Sequence, residues 1–351
     1  MSARDLAPPA RDERFSDWAL LRRRGARRLV IAFSGIDCKK GRFAYYDVLA
    51  RQDCDQLLLN CPDNGWFFDG VPLERGDASR GQTLDFLREL AACYDEVLML
   101  GGSMGAYGAL LYGAGLPGAK VLAMSPEIYG GLRRGFFLRC AGVAGPPPGL
   151  SALLARSPDF RPWILVGEKV ASDLFCLTEV PPARVISLKN CPHTIPAYLE
   201  SRFGLAALIP ALSEDRLEPM LAPLRGEMSR YPDLAALLYL LDLGRLPVAR
   251  AMGYLGTLPP DLYLRGYLAL AIARAFERQD RPDMALRLAA EARTVNPGDM
   301  EAQALHDRLW TALEGRPPAP RFRAHVDADL CAVRAYRAQL DQLEALHGPA
   351  G

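Results

Sequence analysis

Short, unbroken apolar runs alternate with helix-like stretches through the first two hundred residues or so of the chain. The first run is Leu29-Val30-Ile31-Ala32-Phe33, which ends at Ser34-Gly35. A second, Gln56-Leu57-Leu58-Leu59-Asn60, is stopped by Cys61-Pro62-Asp63-Asn64-Gly65. Further runs occupy residues 96–100, 120–124, 163–166 and 184–188. Runs of this length without polar alternation predict strands buried on both faces, the pattern of a parallel sheet. Between them, residues 41–52, 79–93, 106–113 and 195–212 have helical character; the second of these places Leu84, Leu87, Leu90 and Ala91 on one face. The alternation predicts an α/β fold in three layers, with helices covering both faces of a mostly parallel sheet.

The pattern changes near Pro210, beyond which no strand signal remains. Residues 235–241, 267–276, 283–295, 300–313 and 331–346 read as helices, and 315–320 as a Pro-rich linker. Residues 1–28 read as a lead-in, with 15–21 forming one helical turn or an edge strand. The sequence is therefore divided into a lead-in (1–28), an α/β domain (29–212) and an α-helical region (213–346).

Composition narrows the function classes. The 42 basic and 41 acidic residues leave a net charge of +1, which suggests neither a nucleic-acid partner nor an anionic membrane surface. The runs Arg22-Arg23-Arg24, Arg27-Arg28 and Arg133-Arg134 read as solvated faces. The eight cysteines include no CxxC pair and no zinc-ligand spacing, so no metal or other cofactor is implied. Residues 1–28 lack the apolar core of a signal peptide, and no apolar run of about 18 residues is available to span a bilayer. A cytoplasmic protein with free, mostly buried thiols is expected.

The chemistry centres on Gly101-Gly102-Ser103-Met104-Gly105, which fits G-x-S-x-G. A buried strand leads into it and a small-residue helix leads out, the context in which a serine stands on a strained turn with its hydroxyl exposed. Serine at its own pKa is a weak nucleophile and needs a base within reach. His193 is the only histidine before residue 306, and it follows the last predicted strand. The acid that would orient it is sought after the preceding strands, where Asp173, Glu168 and Glu127 all stand; Asp173 is preferred because its loop can swing toward the histidine. The Met104 N–H, at the start of a helix, would stabilise a developing oxyanion. A second donor is expected from Gly35 or Ile36, after the first strand. Trp66 and Phe67 lie in the loop after the second strand, beyond the sheet edge where ligands bind in such folds, and are candidates for lining a substrate site.

These motifs resemble the α/β-hydrolase superfamily over residues 28–212, in a compact form without the usual first two strands. Phe33-Ser34-Gly35, Trp66-Phe67, Gly102-Ser103-Met104-Gly105, Ser125-Pro126 and the pair Asp173 and His193 resemble small bacterial hydrolase-like proteins, some of which accompany surface-polysaccharide or glycosyltransferase functions. The resemblance implies a serine esterase acting on a small-molecule or glycan ester through Ser103, Asp173 and His193; an acyltransferase and a non-catalytic binding protein of the same fold are the alternatives. Residues 125–161 are short and rich in Gly and Pro for a lid, unlike a deep lipase-like acyl tunnel. Residues 267–297 resemble one tetratricopeptide repeat through Ile272-Ala273, Phe276, Ala285, Ala289, Ala292 and Pro297, with Ala269 where a large aromatic is usual. That resemblance implies a docking surface for a protein partner; a plain helical cap packing on the α/β domain is the alternative, since about three repeats are needed to make a groove.

Overall fold

The computed structural model describes residues 11–73, 79–129, 131–140, 149–180 and 185–314. The strands are β1 (Arg11–Ser16), β2 (Ala19–Arg23), β3 (Arg28–Phe33), β4 (Asp55–Leu59), β5 (Glu96–Gly102), β6 (Lys120–Met124), β7 (Trp163–Gly167) and β8 (Val185–Leu188). They form one eight-stranded sheet in the order β1-β2-β4-β3-β5-β6-β7-β8. β1 and β2 are an antiparallel hairpin, β2 runs antiparallel to β4, and the remaining pairings are parallel. This is the mostly parallel sheet of the α/β-hydrolase fold, followed by a helical C-terminal region.

The sheet does not lack its first strands: β1 and β2 supply them from within the predicted lead-in. Four of the six residues of β1 are charged, so the strand has no apolar run to reveal it. It holds through its partner, with Asp12 and Glu13 paired to Arg24 (2.8 Å) and Arg23 (3.8 Å), and its charges also blunt the sheet edge. Arg22 is likewise no solvated side chain. It is buried, donates to Gln56 Oε1 (2.9 Å) and the Tyr46 carbonyl (3.1 Å), and lies over the Tyr46 ring.

The helices of the sheet-bearing part are α1 (Tyr46–Leu49), α2 (Arg80–Ala91), α3 (Met104–Gly113), α4 (Phe136–Cys140), α5 (Ser151–Arg156), α6 (Ala171–Phe175), α7 (Ile195–Phe203), α8 (Leu208–Ser213), α9 (Leu217–Leu221) and α10 (Pro232–Asp242). Ser79 and Gln82 close a capping box at the start of α2, which buries Thr83, Leu87 and Leu90. The helix expected over 41–52 shrinks to α1, because Tyr45 before it takes a left-handed φ of 64°. The helix expected over 195–212 is interrupted at Gly204, whose φ of 77° ends α7 before α8 begins.

By packing, the chain divides into two compact units, residues 1–246 and 247–351. The strand pattern stops earlier than the first unit does, because the segment after α9 folds back on β8. There Gly226 N–H donates to the Ser187 carbonyl (2.6 Å) and Lys189 N–H to that of Leu224 (2.9 Å). The described part of the second unit holds α11 (Val248–Thr257), α12 (Tyr263–Arg278), α13 (Pro282–Val295) and α14 (Met300–Glu314). Small buried residues, Ala269, Ala273, Ala285, Ala289 and Ala292, form much of its core, and Arg265 pairs with Glu291 between α12 and α13 (2.6 Å). The linker and last helix expected over 315–320 and 331–346 lie outside the described residues.

Candidate active site

The parallel register delivers Ser103 to the middle of the sheet's C-terminal edge. β5 lies between β3 and β6, and its last residues, Gly101 and Gly102, pair with Phe33, Ala123 and Met124. Ser103 follows at φ 54° and ψ −118°, and α3 starts at the next residue. Few L residues adopt such a backbone, and the glycines around it show why none of them can be larger. A Cβ on Gly101 would stand 2.2 Å from the Gly105 carbonyl oxygen, and one on Gly105 2.2 Å from that of Phe33. On Gly102 it would meet Pro196 at 2.9 Å. The turn is as tight as the chain allows.

Two other sheet-edge segments converge on it. After β8, His193 is buried with its Nε2 2.8 Å from Ser103 Oγ. After β7, α6 carries Asp173, also buried, whose Oδ2 is 2.7 Å from His193 Nδ1. With the carboxylate accepting from Nδ1–H, Nε2 is left with its lone pair toward Ser103, and the serine hydroxyl donates to it. Ser103, His193 and Asp173 thus form one continuous chain of hydrogen bonds.

The two rival acids serve elsewhere. Glu168, buried at the end of β7, accepts from the Met228 N–H (2.8 Å), and its carboxyl leaves no room for a Cβ on Gly226. Glu127 is closer to the chemistry. Its Oε2 accepts from the Phe137 N–H (2.7 Å), and its Oε1 has no hydrogen-bond partner among the described residues. Burial pushes its carboxyl up to about 8, with the nearby Asp173 charge adding to the rise and Arg139 opposing it.

The expected oxyanion donors come from both sides of the turn. Met104 opens α3, where helical N–H groups have no intrahelical acceptor. Gly35 and Ile36, half-buried, continue from β3 past the pair Phe33 and Gly101, which sets them alongside the serine turn; a Cβ on Gly35 would lie 3.5 Å from the Gly102 carbonyl oxygen. This loop is anchored: Ala44 N–H donates to Ser34 Oγ (3.0 Å), Asp37 N–H to Asn64 Oδ1 (3.0 Å), and Asn60 Nδ2 to the Cys38 carbonyl (2.8 Å).

Trp66 and Phe67 are both fully buried, each with positive φ. The Phe67 ring packs edge-on to Phe33 and fills the space beside Gly108, so it belongs to the core between β3 and α3. Trp66 stands edge-on to Phe137 (4.9 Å between centroids), behind α4. The aromatic side chain that does reach the triad is Phe136, which stacks on the His193 imidazole at 3.8 Å and 19°. No periodicity marks it in the Gly- and Pro-rich stretch around it. Asn64, whose Nδ2 also donates to the Cys140 carbonyl (3.1 Å), is in sequence merely part of a turn cluster.

Among the described residues no His, Cys, Asp and Glu cluster could hold a metal ion, and no helix is long and apolar enough to cross a membrane. No protein-family model matches the chain, and no curated protein does. Among solved structures, the fluorophosphonate-binding serine hydrolase FphF of Staphylococcus aureus aligns with 12% identity over 58% of this chain and 96% of its own, at a TM-score of 0.39. An esterase of Pyrococcus furiosus aligns with 14% identity over 60% of this chain and 95% of its own, at 0.36. LpqC, a poly(3-hydroxybutyrate) depolymerase of Bordetella parapertussis, aligns with 16% identity over 68% of this chain and 91% of its own, at 0.28. All three likenesses are distant, and the reading of the site rests on its own geometry.

Proposed function

We propose that the protein is a serine hydrolase of esterase type, acting on a small-molecule or glycan ester. The observation that carries this reading is the unbroken relay from Ser103 Oγ through His193 to Asp173, at 2.8 and 2.7 Å. Ser103 Oγ attacks the ester carbonyl carbon as its proton passes to His193 Nε2. Asp173 fixes the tautomer and stabilises the imidazolium that results. The carbonyl oxygen gains the negative charge, and the N–H groups of Met104 and of Gly35 or Ile36 are the donors that would hold it. Collapse of the tetrahedral intermediate breaks the bond to the alcohol, which leaves with the proton from His193. Water, deprotonated by the same histidine, then releases the acid and restores the serine.

The test is turnover of a series of p-nitrophenyl esters from acetyl to octanoyl by the full chain. The reading expects cleavage of the shorter members, abolished by Ser103→Ala and by His193→Ala. Turnover that survives Ser103→Ala in purified protein would contradict it.

A further inference from the structure

Glu127 is a buried acid beside the triad that the relay does not use, and its surroundings give it a task. Its carboxyl is cradled by the backbone that begins α4. Oε2 accepts from the Phe137 N–H at 2.7 Å, and Oε1 sits so close to Gly135 that a Cβ there would stand 2.2 Å away. The residue between these two contacts is Phe136, whose ring lies flat on the His193 imidazole. Arg139, one turn further, places its guanidinium over the Phe136 ring, 4.4 Å from its centroid. The far end of α4 is tied by Asn64 to Asp37 in the loop after β3.

We propose that Glu127 is a positioning residue that acts through Phe136: it pins the start of α4 so that the phenyl ring covers one face of the His193 imidazole and holds that ring against Ser103. The arrangement explains why a carboxyl is buried there at all. An apolar residue at 127 would leave the Phe137 N–H, inside the protein, without an acceptor. It explains Gly135 as well, since no side chain fits beside the carboxyl. A stacked ring also limits the imidazole to the rotation at which both of its nitrogens are bonded, and small displacements of a base are costly in rate. The claim rests on the serine-hydrolase reading for its effect on rate, but the contact itself can be tested without it.

The experiment follows the His193 ring by proton and nitrogen NMR of the full chain, with the resonance assigned by His193→Gln. A phenyl ring stacked on the imidazole shifts its carbon-bound protons upfield. Phe136→Ala should remove that shift. Glu127→Ala should remove it too, and so should Gly135→Ala, whose methyl would displace the carboxyl while leaving the acid in the sequence. Glu127→Gln retains a carbonyl acceptor for the Phe137 N–H and should keep the shift. On the same samples the second-order rate of fluorophosphonate labelling should fall about tenfold to a hundredfold in Glu127→Ala. The Glu127→Ala/Phe136→Ala double variant should be no slower than either single one, because both act on one contact. A His193 shift unchanged in folded Glu127→Ala, or in Gly135→Ala where Glu127→Ala does not fold, would overturn the proposal; so would rate effects that add in the double variant. A wild-type protein that does not label, yet loses the shift in these variants, would overturn the hydrolase reading and leave the positioning role standing.

Discussion

Replacing Ser103 by glycine and by alanine separates what the serine turn costs the fold from what it does in chemistry. Both variants lose the hydroxyl and its bond to His193 Nε2, so the difference between them isolates the Cβ. At φ 54° and ψ −118° the backbone lies where glycine is at ease and a residue with a Cβ is strained. Holding such a residue costs about 1–3 kcal/mol. Glycine gives back about 0.4–1 kcal/mol through the greater freedom of the unfolded chain. Ser103→Gly should therefore be more stable than Ser103→Ala by about 0.5–2 kcal/mol, although neither is active. The assay is urea unfolding followed by tryptophan fluorescence, with Trp66, fully buried in the first unit, among the reporters. A shift of the midpoint at constant slope reads stability alone. If alanine equals or exceeds glycine, the strain assigned to the turn is absent and the argument for a backbone bent to expose a nucleophile fails.

Other consequences follow from the same geometry. Asp173→Asn should slow Ser103 labelling by about 10³–10⁴-fold, as loss of the correct tautomer does in serine proteases. Glu168→Gln, whose carboxyl bonds the Met228 N–H and not His193, should leave labelling within about threefold while lowering the urea midpoint, because it weakens a charge-assisted bond to the Met228 N–H. Gly105→Ala forces a methyl to within 2.2 Å of the Phe33 carbonyl oxygen and should cost about 1–3 kcal/mol in the same unfolding assay. Glu127 sets a pH dependence of stability. Its carboxyl, faced by Asp173 and Arg139, holds its proton up to about 8 in the folded protein, well above its value in the unfolded chain. Between these two values the folded state binds more protons, so stability should fall as pH rises from about 4.5 to 8, by on the order of a few kcal/mol, and level off above. Glu127→Gln should flatten that decline in unfolding curves taken at steps of pH, and an identical decline in the variant would place its source elsewhere.

Much of the fold was legible because buried parallel strands announce themselves as unbroken apolar runs. Leu29 to Phe33, with its five apolar residues all fully buried, is the clearest case. The hairpin β1 and β2 was hidden for the opposite reason. β1 is largely exposed and carries four consecutive charged residues, and Arg22 in β2 is buried only because Gln56 and the Tyr46 carbonyl and ring receive it. The nucleophile turn could be read because its glycines obey a local steric rule, while His193 stood out by scarcity. The acid was ambiguous, since three carboxyls follow two successive strands, Glu127 after β6 and Glu168 and Asp173 after β7, and only the packing of α6 decides which one meets Nδ1. Phe67 and Phe136 show the limit most plainly. A ring in a loop can fill the core or face the site, and nothing local in the sequence distinguishes the two.

The central claim is that Ser103 is a nucleophile activated by His193. It is tested most directly by treating the full chain with a fluorophosphonate and measuring the intact mass, then mapping the adduct by peptide analysis. One adduct per chain is expected, on the peptide holding Gly101 to Gly105, absent from Ser103→Ala and strongly slowed in His193→Ala. An adduct on another residue, or equal labelling of the Ser103→Ala chain, would contradict it.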